Sequence, residues 1–180
     1  MKKRIFMAIE VPDEIKRELL SYEKKWDNLR IKWINFYKIH LSIEFLGEVD
    51  KNDLDSIIAA TQETAATLKP FEVKLDRIVL GPNPAEAKMF WSTIRVETEM
   101  KELRKTLHMN LHTQNYNYEF GPFKPHITIA RARGNQLKGK QTNVILKDLK
   151  FQVESINLIE SQLRPNVEKI RLVKSFRLGE

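Results

Sequence analysis

The pattern His-x-Ser/Thr-x occurs once in each half of the 180-residue chain, as His40-Leu41-Ser42-Ile43 and as His126-Ile127-Thr128-Ile129, each copy preceded by aromatic and basic residues. In an extended strand successive side chains point to opposite faces. His40 and Ser42 are therefore expected on one face, with Leu41, Ile43 and Phe45 on the other. The second copy follows the same rule, with His126 and Thr128 opposed to Ile127 and Ile129. Each copy thus fixes an imidazole and a hydroxyl roughly 6 to 7 Å apart along an otherwise apolar strand.

Around these two strands the periodicity alternates between sheet and helix. Residues 4–11 read as a buried strand, and Pro12-Asp13 as a turn and helix N-cap. Ile15, Leu19, Tyr22 and Trp26 recur at helical spacing, which predicts a helix to about residue 26. Short β-rich segments follow at 31–36 and 39–46, the second closed by Gly47. Asn52 or Asp53 is expected to cap a second helix running to about residue 68, stopped by Pro70. Strands are expected at 71–75, 78–80 and 88–96, with Gly81-Pro82-Asn83-Pro84 as a surface turn and the boundary between halves. Met100, Leu103, Leu107 and Leu111 predict a third helix over 97–115. After it come a short strand at 126–130, a basic polar stretch at 131–141 that reads as a mobile loop, and closing strands at 149–160 and 169–178. Many strands with three helices in mixed order give an α+β class with mainly antiparallel sheets.

Composition narrows the chemistry. There is no Cys, which removes disulfides, thiolate nucleophiles and cysteine-ligated zinc and is compatible with a reducing cytoplasm. With 31 basic and 24 acidic residues the formal charge is +7, which favours a polyanionic partner such as nucleic acid through long-range attraction and counterion release. The basic start, Lys2-Lys3-Arg4, precedes an apolar run that stops at Glu10, too short for a signal sequence, and no membrane-spanning stretch is expected. A single domain covering 1–180 is expected, acting as a monomer with no membrane association.

Two imidazoles suggest phosphodiester hydrolysis, in which one group takes a proton from water while another protonates the departing oxygen. The hydroxyls of Ser42 and Thr128 would donate to the non-bridging phosphate oxygens, where charge accumulates. A single His-x-Ser/Thr is ordinarily a strand-edge histidine bonded to a backbone carbonyl; two copies in matching β context argue for shared chemistry. His108 and His112 lie four apart on the third helix, but the residues between them include no Glu and no third metal ligand suggests itself.

The chain resembles the 2H phosphoesterases, and among them the 2′-5′ RNA ligase-like RNA 2′,3′-cyclic phosphodiesterases. The resemblance rests on Arg4-Ile5-Phe6-Met7-Ala8-Ile9-Glu10-Val11-Pro12, on His40-Leu41-Ser42-Ile43-Glu44-Phe45-Leu46-Gly47-Glu48-Val49, on Pro125-His126-Ile127-Thr128-Ile129-Ala130-Arg131, and on Ile156-Asn157-Leu158-Ile159-Glu160-Ser161-Gln162-Leu163. It implies a bilobal fold, two mainly antiparallel sheets related by a pseudo-two-fold axis, with helices outside and a central active-site groove. It also implies no metal or other cofactor, His40 as proton donor to the leaving 3′ oxygen, His126 as the base that activates water, and a 2′-phosphate product, with reversible 2′-5′ ligation as a related activity. Nothing in the residues themselves distinguishes the roles of the two histidines. The alternative readings are a phosphodiesterase for small cyclic nucleotides or 2′-5′ oligonucleotides, and a non-catalytic RNA- or nucleotide-binding module of the same fold.

Two departures stand out: Ser42 replaces the usual Thr, and Glu44 is expected on the same strand face, where it would repel phosphate unless turned away or paired with a cation. Arg131 matches an arginine that clamps phosphate in relatives, yet simple alternation puts it opposite His126, so it reaches the site only if the strand bends or ends there. Lys124, Arg133, Lys138 and Lys140 are either RNA contacts or solvated loop residues. Trp33, Phe36 and Phe123 are expected in packing rather than in base stacking.

Overall fold

The computed structural model describes residues 2–116, 121–164 and 167–180. Among these the chain runs β1 (Lys3–Glu10), α1 (Asp13–Ser21), β2 (Ile31–Trp33), β3 (His40–Val49), α2 (Lys51–Thr67), β4 (Phe71–Gly81) and β5 (Met89–Ile94). It continues through α3 (Thr98–Thr113), β6 (His126–Ala132), β7 (Asn143–Ile145), β8 (Lys150–Val153), β9 (Ser155–Arg164) and β10 (Val167–Arg177). Single 3-10 turns lie at Tyr22–Trp26, Phe36–Lys38 and Pro84–Glu86.

The strands hydrogen-bond in the order β10-β9-β1-β3-β6-β5-β4-β7, with β2 on β6 and β8 on β4, and the paired strands are antiparallel. The class is α+β. The two sheets expected from the sequence are the halves β10-β9-β1-β3 and β6-β5-β4, and they meet through a ladder of two residue pairs, Leu41 with Ile127 and Ser42 with His126. Leu41 and Ile127 are both fully buried, so that ladder is anchored in the core. The third helix buries Met100, Leu103, Leu107 and Leu111, as their spacing predicts. It packs on α2, where the Asn110 amide donates to Thr64 Oγ1 at 3.0 Å.

Several boundaries differ from the sequence reading, each for a local reason. The first helix ends at Ser21 and tightens to a 3-10 turn, which brings Trp26 within 4.7 Å of Phe90, ring to ring. Asp50, rather than Asn52 or Asp53, occupies the N-cap of α2. Gly81-Pro82-Asn83-Pro84 is not a boundary between halves: it joins β4 to β5, which pair with each other. The halves exchange chain elsewhere, because the expected strand at 149–160 breaks at Glu154. Its first part, β8, pairs with β4, and its second, β9, returns to β1. The stretch expected as a loop from residue 131 begins two residues later, since Arg131 and Ala132 belong to β6. The loop itself is tied down by buried Leu137 and by Gln136, whose amide donates to the Arg30 carbonyl at 2.9 Å.

Bulges redirect the strands that carry the two motifs. Along β1, Met7 pairs with Glu44 and Ala8 with Ser42, so Ile43 is an extra residue in β3. Along β5, Phe90 pairs with Ala130 and Trp91 with Thr128, so Ile129 is an extra residue in β6. An extra residue reverses the alternation beyond it. Phe45, expected in the core, is therefore 53% exposed. Glu44 leaves the histidine face and accepts from Arg104 Nε of α3 at 3.0 Å; the same guanidinium donates to the Gly121 carbonyl and covers the Phe123 ring. Replacing Arg104 by Ala strands a largely buried carboxylate and is expected to cost about 1–3 kcal/mol in urea unfolding. Glu44→Gln in the same background should recover part of that loss; an Arg104→Ala protein as stable as the parent would contradict the pairing.

Candidate active site

The β3–β6 ladder is a local two-fold axis. An axis normal to the sheet through the Leu41–Ile127 pair exchanges the antiparallel strands, carrying His40 onto His126 and Ser42 onto Thr128. Both bulges fall at equivalent places, Ile43 and Ile129, so the equivalence extends to Phe45 and Arg131. Each of these couples is 86 positions apart in the chain.

The structure brings together all five residues selected from the sequence. His40, Ser42, His126, Thr128 and Arg131 line one groove of ≈ 680 Å³, large enough for a nucleotide. His40 Nδ1 lies 2.8 Å from the Lys38 carbonyl, and His126 Nδ1 lies 2.8 Å from the Lys124 carbonyl. A carbonyl oxygen only accepts, so in each ring Nδ1 carries a hydrogen and Nε2 is the atom that gains or loses a proton. Lys38 and Lys124 are themselves equivalent under the axis, which makes the repeated unit Lys-x-His-x-Ser/Thr.

Each imidazole is also held by an aromatic ring from the neighbouring strand. Phe6 of β1 sits 5.0 Å from His40, centroid to centroid, and Trp91 of β5 stacks on His126 at 3.8 Å with an interplanar angle of 21°. The Trp91 indole in turn lies against Gly81, where an added Cβ would overlap the ring. Burial lowers the His126 pKa below the ordinary 6.5; the Lys124 carbonyl opposes this, while the charges of His40 and Arg131 lower it further. His126 is thereby held in the neutral form, with a lone pair on Nε2 at neutral pH.

Arg131 reaches the groove because the bulge at Ile129 corrects its parity, and its Nη1 rests 3.4 Å from Met89 Sδ. Glu44 is absent from the groove lining. Lys124 contributes its carbonyl, while Arg133, Lys138 and Lys140 stand exposed on the 133–140 turn, outside the groove. Trp33 stacks on Trp26, Phe36 packs under Lys16 and Arg17, and Phe123 lies under Arg104, so all three are packing residues. His108 and His112 line a separate shallow depression with Met109 and Thr113. Among the described residues no group of three or more His, Asp or Glu gathers at metal-binding distance.

The sequence reading missed several groove residues: Arg4, Phe6, Lys38, Phe45, Met89 and Trp91. Alternation in β1 and β5 places Arg4 with Phe6 and Met89 with Trp91, so those four were accessible once a face of each strand was assigned. Lys38 was marked by its match to Lys124. Phe45 depends on the bulge and carried no local signal.

Comparison with known proteins agrees with this architecture. The chain is 27% identical to a Methanocaldococcus jannaschii protein named RNA 2′,3′-cyclic phosphodiesterase, over 96% of this chain and 99% of that one. A Thermus thermophilus protein of the same name is 25% identical over 97% of this chain and 90% of its own. A crystal structure of a Thermus thermophilus protein matches the fold with a TM-score of 0.84 at 24% identity, covering 98% of both chains. LigT of Escherichia coli complexed with 3′-AMP matches with a TM-score of 0.79 at 19% identity, covering 100% of both. Residues 11–164 match the 2′-5′ RNA ligase superfamily, and the chain belongs to that family.

Proposed function

We propose that this protein is a metal-independent RNA 2′,3′-cyclic phosphodiesterase that converts cyclic phosphate ends to 2′-phosphomonoesters. The observation that carries the reading is the pair of imidazoles, equivalent under one local axis, each pinned through Nδ1 and each lining the same groove beside a hydroxyl. In-line displacement at phosphorus needs an acid and a base on opposite sides of the phosphate, and a diagonal pair across an antiparallel ladder supplies them. The relatives named RNA 2′,3′-cyclic phosphodiesterase and the +7 charge support RNA as the substrate,.

His126, held neutral, takes a proton from water as its oxygen bonds to phosphorus. The P–O3′ bond breaks, and His40 delivers its proton to O3′. The product carries a 2′-phosphate and a 3′-hydroxyl, and exchange with solvent resets both rings. Ser42 and Thr128 donate to the two non-bridging oxygens, and Arg131 neutralises the charge that builds there. A 5′-hydroxyl in place of water gives 2′-5′ ligation by the same proton transfers.

With an oligonucleotide ending in a 2′,3′-cyclic phosphate, in the presence of a chelator, His40→Ala and His126→Ala are each expected to lower kcat by about 10²–10⁴-fold while the fold survives. Tight binding without turnover by the parent protein would instead indicate a binding module. Loss of activity on chelation would refute the metal-independent scheme.

The base must be unprotonated to act, and the His126 pKa is lowered in the folded protein. The acidic limb of kcat/KM should therefore fall below pH 6.5, with activity lost only as pH drops through that lowered value. Arg131 contributes to the lowering, so Arg131→Gln should move the limb to higher pH as well as weakening phosphate binding. An unmoved limb would assign it to a different group.

A further inference from the structure

No Asp or Glu occurs in residues 28–43 or in residues 120–147, and the fold brings these two stretches together. β2 lies on the end of β6. The 133–140 turn is clamped to the start of β2 by Gln136, whose side chain accepts from the Arg30 amide at 3.0 Å and donates to the Arg30 carbonyl at 2.9 Å. Arg30, Lys32, Arg131, Arg133, Lys138 and Lys140 are all exposed on this edge. Among the described residues none of them has a carboxylate within ion-pair distance.

Lys32 and Arg131 stand directly opposite each other in the ladder between β2 and β6, so their side chains rise from the same face. That face is the groove's, because Arg131 and Ile34, two residues beyond Lys32, both line it. Like charges opposed across strands repel, and an anion held between them removes the repulsion. On its other side Arg131 pairs with Met89 of β5, two residues before Trp91, which pairs with Thr128. The cationic row therefore lies roughly 6 to 7 Å along the sheet from the row of the Thr128 hydroxyl, about one nucleotide step.

We infer that Lys32, together with Arg131, binds the phosphate on the 5′ side of the terminal nucleoside, and that the RNA chain leaves the groove across the end of β2 and β6. The inference rests on the cyclic-phosphate reading above and narrows the substrate to RNA ends over free cyclic nucleotides. A cyclic phosphate closes the 3′ end of a strand, so every further phosphate of that strand lies on the 5′ side. With the reacting phosphate beside Ser42 and Thr128, the next one reaches the Lys32–Arg131 row. Later ones meet Arg30, Arg133 and the lysines of the turn. Each contact releases counterions, so the track rewards chain length and not base sequence.

The test compares kcat/KM at low salt for adenosine 2′,3′-cyclic phosphate with that for the same compound bearing a 5′-phosphate. The parent protein should prefer the 5′-phosphorylated substrate by about 5-fold or more, the range of one charge-assisted contact. In Lys32→Ala the ratio should fall toward one while turnover of the unphosphorylated substrate is unchanged, and in Lys32→Arg it should persist. Lys101→Ala, which removes an equal charge from an exposed position on α3, should leave the ratio as in the parent. A parent ratio near one, an unchanged ratio in Lys32→Ala, or an equal fall in Lys101→Ala overturns the inference, while turnover of either substrate leaves the phosphodiesterase reading intact. If neither substrate turns over, that reading fails separately. Equilibrium binding of adenosine 2′,5′-bisphosphate against adenosine 2′-monophosphate then reads the same preference, and equal affinities overturn the Lys32 site.

Discussion

The ladder between β3 and β6 consists of two residue pairs, and the site exists because of it. Leu41 against Ile127 and Ser42 against His126 set the register of one half of the sheet against the other. A one-residue slip would turn a histidine into the core and a leucine or isoleucine into the groove. The burial of Leu41 and Ile127 opposes that slip. Because an antiparallel pair carries its own two-fold axis, correct register also delivers two imidazoles to equivalent positions across the strands. The equivalence of the two imidazoles follows from β-pairing geometry, with no need for similar loops or helices in the two halves.

The bulges at Ile43 and Ile129 add a second layer of control. Each leaves the His-x-Ser/Thr segment on the groove face and then reverses the strand, so that Phe45 and Arg131 join the groove while Glu44 is sent to Arg104. An intact alternation would have aimed a carboxylate at the phosphate and removed the guanidinium. The same device, used twice, thus excludes an unfavourable charge on one flank and admits a favourable one on the other. The interaction with a backbone carbonyl that ordinarily explains a lone strand-edge histidine is present in both copies. It works with the function, since Nδ1 bound to the carbonyl assigns the mobile proton to Nε2.

The α+β class, the helix faces and four candidate site residues, His40, Ser42, His126 and Thr128, were legible in the sequence, because they rest on periodicity and on a repeated motif that survives inspection of a single chain; Arg131 entered through the family resemblance. What escaped depends on strand pairing. Nothing local marks Ile43 or Ile129 as extra residues, so Phe45 was expected inside, and alternation alone put Arg131, a site candidate through the family resemblance, on the face opposite His126. The break at Glu154, where the chain passes from one half of the sheet to the other, lies inside continuous alternation and leaves no trace in composition. The hairpin at Gly81-Pro82-Asn83-Pro84 carries the strongest turn signal in the chain, yet it joins neighbours within one half. Turn strength reports local geometry and says little about where a fold divides.

The two-histidine mechanism requires both imidazoles to address one phosphorus. With histidines labelled in ¹⁵N and ¹³C, titration of a nucleoside 2′-monophosphate should move the resonances of His40 and His126 together along one single-site isotherm, leaving His108 and His112 unmoved. A ligand that shifts only one of the pair, or shifts the two with different affinities, would contradict a shared phosphate and with it the two-histidine mechanism.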